Sequence, residues 1–259
     1  LRIALGIEYD GTGFCGWQRQ AEGRTVQGCV EQALSRVADS PVAVVCAGRT
    51  DTGVHATGQV IHFDTDAVRY SHNWLRGSNA NLPADISVNR YTVTDETFHA
   101  RFCALRRHYR YIIYNHPAHS AILRNQACWQ GRQLQEARMQ QAANFLLGEH
   151  DFTSFRAVAC QAHSPVRNIY RLKVTRSGAF IYIDIVANAF LHHMVRCIAG
   201  VLMQAGSGDE PPEWVAAVLA ARDRTLSGVN APAAGLYLVN VSYPEKYKVP
   251  SDSRLPVLG

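Results

Sequence analysis

The segment Ala47-Gly48-Arg49-Thr50-Asp51-Thr52-Gly53-Val54-His55-Ala56 gathers a carboxylate, a guanidinium, two hydroxyls and an imidazole between two apolar runs. Loops held by a rigid scaffold are where binding and catalytic groups concentrate, and an ionised Asp is a nucleophile or a base. The same residue type in a turn is also an ordinary acceptor for local backbone N–H groups, and Arg49 and Asp51 together read equally as a surface ion pair. His55 and His62 lack a third ligand at metal spacing, which favours a core or loop role for both and implies no metal site. Farther along, Arg107-His108-Tyr109-Arg110-Tyr111-Ile112-Ile113-Tyr114 alternates so that Tyr109 and Tyr111 share one strand face while Arg110 and Tyr114 share the other. Aromatics interleaved with arginine stack bases and bind phosphates, but an amphipathic strand with tyrosines in the core has the same pattern. In Phe190-Leu191-His192-His193-Met194-Val195-Arg196, helical spacing puts His192 and Arg196 on one face. An arginine among such apolar neighbours either snorkels to the surface or pairs with a carboxylate.

Composition narrows the classes. The 259 residues are 47% hydrophobic, enough for a substantial core, and no run reaches the length of a membrane span. The opening residues alternate like a strand, unlike a signal-peptide core, so a cytoplasmic protein is expected. Seven cysteines without a C-x-x-C pair fit buried thiols better than a disulfide framework or a zinc knuckle. Zinc-deaminase, H-E-x-x-H and P-loop signatures are absent, so the expected chemistry uses no metal or nucleotide cofactor. The net charge of +5 is modest but uneven. Arg101 through Gln135 carries Arg101, Arg106, Arg107, Arg110, Arg124 and Arg132 with no acid; Phe152 through Ile183 carries Arg156, Arg167, Arg171, Lys173 and Arg176, again with none. Such stretches suit a polyanion, or are strand faces whose acidic partners lie elsewhere in the chain.

The elements needed to position these groups follow from periodicity. Residues 2–9 read as a strand, Thr25 caps a helix with Val26, Val30, Ala33, Leu34 and Val37 on its apolar stripe, and strands follow at Val42–Ala47 and Gln59–Asp64. A short helix, Ser71–Ala80, and a strand, Ile86–Val93, complete β-α-β-β-α-β. The order recurs after residue 100: strand Arg107–Asn115, helix Leu134–Leu147, a hairpin turning at Ser177-Gly178, helix Phe190–Ala205 stopped by Gly206, a helix from Pro211 capped by Asp209, and strand Leu236–Tyr243 closing the second sheet. The expectation is an α+β chain of two ferredoxin-like (RRM-like) halves, 1–100 with the GRTD loop and 101–259 with an irregular tail, whose antiparallel sheets form a central cleft.

Several segments together carry a more specific likeness: Phe14-Cys15-Gly16-Trp17-Gln18-Arg19-Gln20, GRTDTGVHATGQV from Gly48, FHARF from Phe98, RHYRYIIYN from Arg107, FTSFRA from Phe152, SPVRNI from Ser164, AFLHHMVR from Ala189, and Gly235-Leu236-Tyr237-Leu238. In this order, nearly end to end, they resemble the tRNA pseudouridine synthase I family, bacterial enzymes acting at tRNA positions 38, 39 and 40; Cys103 and Ser87 depart slightly from its pattern. The resemblance implies that Asp51 is the nucleophile acting on a flipped-out uridine, that Tyr109 stacks on the target uracil, that Arg196 pairs with the Asp51 carboxylate, and that Arg49 helps displace the base. Further RNA contacts are expected from Arg101, Arg107, Arg110 and His55, with no cofactor, and the resemblance implies a homodimer with each tRNA touching both subunits. A non-catalytic RNA-binding protein would explain the charge and the aromatics but not the polar turn around Asp51. A synthase with a different RNA target stays open. A glycosidase would need a second acid, and Asp64 and Asp66 follow a strand away from the loop.

Overall fold

A computed structural model describes residues 1–157, 160, 162–228, 230–251 and 254–258. In chain order the elements are β1 (Arg2–Tyr9), α1 (Val26–Ala38), β2 (Val45–Cys46), β3 (His55–Asp64), α2 (Ser78–Asn81), β4 (Ile86–Thr94), β5 (Arg106–Asn115), β6 (Cys128–Gln130), α3 (Glu136–Asn144), β7 (Gly148–Asp151), β8 (Val166–Ser177), β9 (Phe180–Ala187), α4 (Met194–Ser207), α5 (Trp214–Ala221) and β10 (Leu236–Ser242). The chain is α+β with mostly antiparallel strand pairing, and it forms two compact units: Leu1–Arg107 with Tyr237–Pro256, and His108–Leu236 with Val257–Gly259. Among the described residues no helix is long and apolar enough to cross a membrane.

In the first unit β1 is central. It pairs antiparallel with β3 (Ile3↔Phe63, Leu5↔Ile61) and with β4 (Ile3↔Val93, Leu5↔Tyr91). β2 pairs antiparallel with the later part of β3 (Val45↔His62), and β10 lies parallel to its beginning (Tyr237↔His55, Leu238↔Ala56). α1 forms as its spacing predicts: the Thr25 hydroxyl accepts from Gly28 N, and Val26, Val30, Ala33 and Leu34 are buried. Beneath the sheet Trp74 packs edge-on against Phe63, both fully buried.

The second strand is shorter than the apolar run Val42–Ala47 predicts. Val42 N donates to the Ser35 hydroxyl at 2.9 Å and Val44 N to the Glu31 carboxylate at 3.0 Å. Helix side chains have taken donors that a ladder would have used, so only Val45 and Cys46 pair as strand. Leu236–Ser242 is a strand as expected, and its register sets it beside β3 in the unit that carries the GRTD loop.

In the second unit the strand order is β5-β9-β8-β7, with β6 parallel to β5 (Ile113↔Cys128). β8 and β9 form the expected hairpin around Ser177-Gly178 (Ser177↔Phe180). β6 and β7 are too short to show a period in the sequence. α4 starts at Met194 instead of Phe190, because His193 takes a left-handed conformation (φ 64°) that no helix interior accepts. It also runs through Gly206 and ends at Gly208 (φ 84°). Gly206 serves packing: a Cβ there would lie 2.6 Å from Met139 Cγ of α3. Asp209 does not cap the next helix; it accepts from the Ser207 hydroxyl and pairs with Arg132, and α5 begins only at Trp214.

At Gly58 β10 approaches β3 closely, since a Cβ at that position would lie 2.2 Å from the Val239 carbonyl oxygen. Gly58→Ala is expected to lower unfolding stability by about 1–3 kcal/mol through this overpacking, seen as a lower urea midpoint at an unchanged slope.

Candidate active site and RNA-contact residues

The loop between β2 and β3 is fixed by its backbone. Ala47 N donates to Val60 O at 2.8 Å, and the side-chain amide of Gln59, which has no exposed surface, donates to Gly48 O at 2.6 Å. Trp17 N donates to Thr50 O at 2.9 Å, and the Thr50 hydroxyl meets the buried Tyr9 hydroxyl at 2.7 Å. Val54 N closes the turn on Asp51 O at 3.1 Å. With Thr50 turned inward, Arg49 and Thr52 are exposed and Asp51 is half-buried. The chemistry on offer is a carboxylate at partial depth on a backbone held by these hydrogen bonds, with a guanidinium two residues away.

The other residues marked in the sequence divide. Arg101 is exposed. Arg107 is committed to the loop: its guanidinium donates to Ala47 O (2.9 and 3.2 Å) and to Arg101 O (2.8 Å). His55, expected at the RNA surface, is instead 3% exposed, accepts from Gly11 N at 3.0 Å through Nδ1, and stacks on Tyr237 with ring centroids 4.6 Å apart.

Arg110, expected on a phosphate, is likewise turned inward in the second unit. It is 8% exposed and holds Asp184 of β9 bidentately at 2.9 and 2.8 Å, while His108 meets the same carboxylate at 3.0 Å. Burial is the largest influence on Asp184 and would raise its pKa, yet hydrogen bonds from His108 and Arg110, with their charges, bring it from 3.8 down to about 2. The sequence signal for this pair is Ile181-Tyr182-Ile183-Asp184-Ile185, an acid in an otherwise apolar strand. Arg132–Asp209 and Arg176–Glu136 are further pairs that draw on acids outside the two basic stretches. Tyr109 is buried, with Phe190 at 5.0 Å and an interplanar angle of 84°. Arg196 donates from Nε to Ala231 O at 2.8 Å, which ties α4 to the segment before β10.

Residues 6–103 and 142–244 match the tRNA pseudouridine synthase family. The chain belongs to that family. It is 56% identical to the tRNA pseudouridine synthase A of Nitrosococcus oceani over 98% of each chain, and 55% identical to that of Pectobacterium atrosepticum over 99% of this chain and 91% of the relative. The tRNA pseudouridine synthase A of Shewanella piezotolerans is 54% identical over 96% of both. A crystal structure of a Cbf5-Nop10-Gar1 complex aligns with 91% of this chain and 48% of its own at 10% identity, with a TM-score of 0.39, too slight a likeness to argue from. Membership makes the chain an isomerase that acts on tRNA, converting uridine to pseudouridine.

Two histidines in the first unit act as acceptors. His62 Nδ1 accepts from Ala100 N at 3.1 Å, and His99 Nδ1 from Arg101 N and Phe102 N, both at 3.2 Å. Burial, then the neighbouring His99 and Arg2, lowers the His62 pKa from 6.5 to about 4; burial and Arg2 also lower that of His99. Both are therefore neutral at pH 7, the state in which Nδ1 accepts.

Two outcomes follow. Asp184→Asn strands the buried Arg110 charge and is expected to cost about 3–5 kcal/mol in urea unfolding, far more than loss of an exposed pair. For His62, the unfolded chain binds the proton more readily between pH 6.5 and about 4, so stability falls as pH drops through that window. His62→Asn, which keeps an acceptor near the Nδ1 position, should flatten this slope in urea midpoints measured from pH 7 to 4.5.

Proposed function

We propose that the chain isomerises uridines 38, 39 and 40 in the anticodon arm of tRNA, with Asp51 as nucleophile on a uridine turned out of its stack. The supporting observation is the pinned loop: a half-buried carboxylate whose flanking backbone groups are hydrogen-bonded at Ala47, Gly48, Thr50 and Asp51 itself. The reaction breaks the bond from N1 to C1′, turns the uracil in place and forms the bond from C5 to C1′. N1 gains a proton, C5 loses one, and no atoms or electrons are exchanged with another reagent. An ionised carboxylate that attacks the nucleotide covalently and is later released meets this requirement.

In this reading Arg196 supplies the counter-charge that keeps Asp51 ionised as water is displaced, Tyr109 stacks on the uracil, and exposed Arg49 occupies the place the base has left. Arg101 contacts phosphate. Arg107 acts on RNA only indirectly, by holding the loop and the Arg101 carbonyl, and Arg110 and His55 shape the scaffold. The reading carries the expectation that 1–100 and 101–259 are ferredoxin-like halves whose sheets border a common cleft, in a cytoplasmic homodimer that needs no cofactor. The antiparallel order β4-β1-β3-β2 in the first unit supports the first of these halves.

Asp51→Asn should abolish pseudouridine formation when unmodified tRNA is incubated with the purified protein and mapped by mass spectrometry, while tRNA affinity stays within about twofold. Turnover retained by the variant would overturn the assignment of Asp51, and product at uridines outside 38 to 40 would overturn the assignment of position.

A further inference from the structure

Phe102 is a large apolar side chain with 76% of its surface exposed. A lone exposed phenylalanine means little, since folded surfaces carry many. This one is prearranged. Its ring stacks on His99 with centroids 4.3 Å apart and planes 26° from parallel, and the Arg101 guanidinium lies 5.6 Å from its centre. Beneath it, His99 Nδ1 accepts from the amides of both Arg101 and Phe102, so one ring fixes the turn and supports the second ring. His99 packs in turn on buried His62 at 4.9 Å, and the preceding Phe98 has no exposed surface. The turn is also tied to the candidate active-site loop: a single nitrogen of Arg107, Nη2, donates to both Ala47 O and Arg101 O.

We infer that Phe102, backed by His99 and flanked by Arg101, is a stacking platform for an unpaired nucleobase of the RNA substrate near the nucleotide held at the 47–54 loop. The inference rests on the reading of that loop as the active site. Charge selects the occupant. Phe102 lies within a stretch from Arg101 to Gln135 that contains no acid, and Arg101 and Arg106 beside it are exposed. A second copy of the chain meeting this surface by two-fold symmetry would set arginine against arginine, whereas a nucleotide offers a π-face to the ring and a phosphate to the guanidinium. Holding the ring in place beforehand removes part of the entropy cost of binding.

The test compares wild type with Phe102→Ala, Phe102→Trp and Arg101→Ala, using unmodified tRNA. Phe102→Ala should raise Kd and KM by about 5- to 150-fold, the worth of one stacked base, with kcat nearly unchanged. Phe102→Trp should keep affinity near wild type and show indole fluorescence quenched by tRNA beyond the signal of the four native tryptophans. Arg101→Ala should lower the slope of log affinity against log salt by about one. Phe102→Ala with unchanged Kd and KM would overturn the platform, as would a change in sedimentation with RNA affinity intact, which would mark a protein contact. Because affinity is read apart from turnover, loss of the Asp51 assignment would leave this result interpretable.

Discussion

A buried amide fixes the geometry on which the site depends. Gln59 lies within β3, where alternation would admit an apolar residue, and its side chain reaches back to the Gly48 carbonyl. Together with the bonds from Trp17 and Tyr9 to Thr50, it leaves the loop few ways to relax. Each such bond is worth only about 1 kcal/mol net, but breaking one strands a buried polar group at a cost of about 1–3 kcal/mol. The loop is thus held less by the strength of its bonds than by the penalty for leaving them unmade. In the reaction proposed for Asp51, developing charge is stabilised best by groups that need not reorganise, and a loop bonded in this way offers that stiffness.

Electrostatics in the two units serves different ends. In the second, the attraction of Arg110 and His108 for Asp184 outweighs the burial that would otherwise protonate the carboxylate, and a strand pair is locked by charge where apolar contact would be usual. In the first, burial suppresses charge on His62 and His99, and the neutral rings accept from backbone amides of the turn that presents Arg101 and Phe102. Arg49, Arg101 and Arg106 are exposed, on or next to these braced segments.

Much of this was legible in the residue order. Thr25 and the apolar stripe behind it give α1 directly, and Ser177-Gly178 gives the β8–β9 hairpin. GRTDTGVHA locates the loop, but Gln59, which secures it, looks like any polar residue in an alternating strand. Side-chain capture of Val42 and Val44 shortened β2, an outcome periodicity cannot register because it counts residues and not hydrogen-bond donors. Charge runs along the sequence likewise hide pairing: the acid-free run from Phe152 ends at Ile183, one residue before the acid that claims Arg110. What the sequence conceals is pairing across long separations, where either partner alone has an ordinary appearance.

The parallel register of Tyr237 on His55 bears on how the protein comes into being. The sheet that carries the Asp51 loop takes one strand from a segment far away in sequence, so the beginning of β3 gains that neighbour only once the long stretch between them has been brought together. Contacts of such long range close slowly, because a great length of chain loses its freedom before they form. The edge of the sheet next to the loop is therefore expected to zip up late in folding, after segments nearer to one another in sequence have paired.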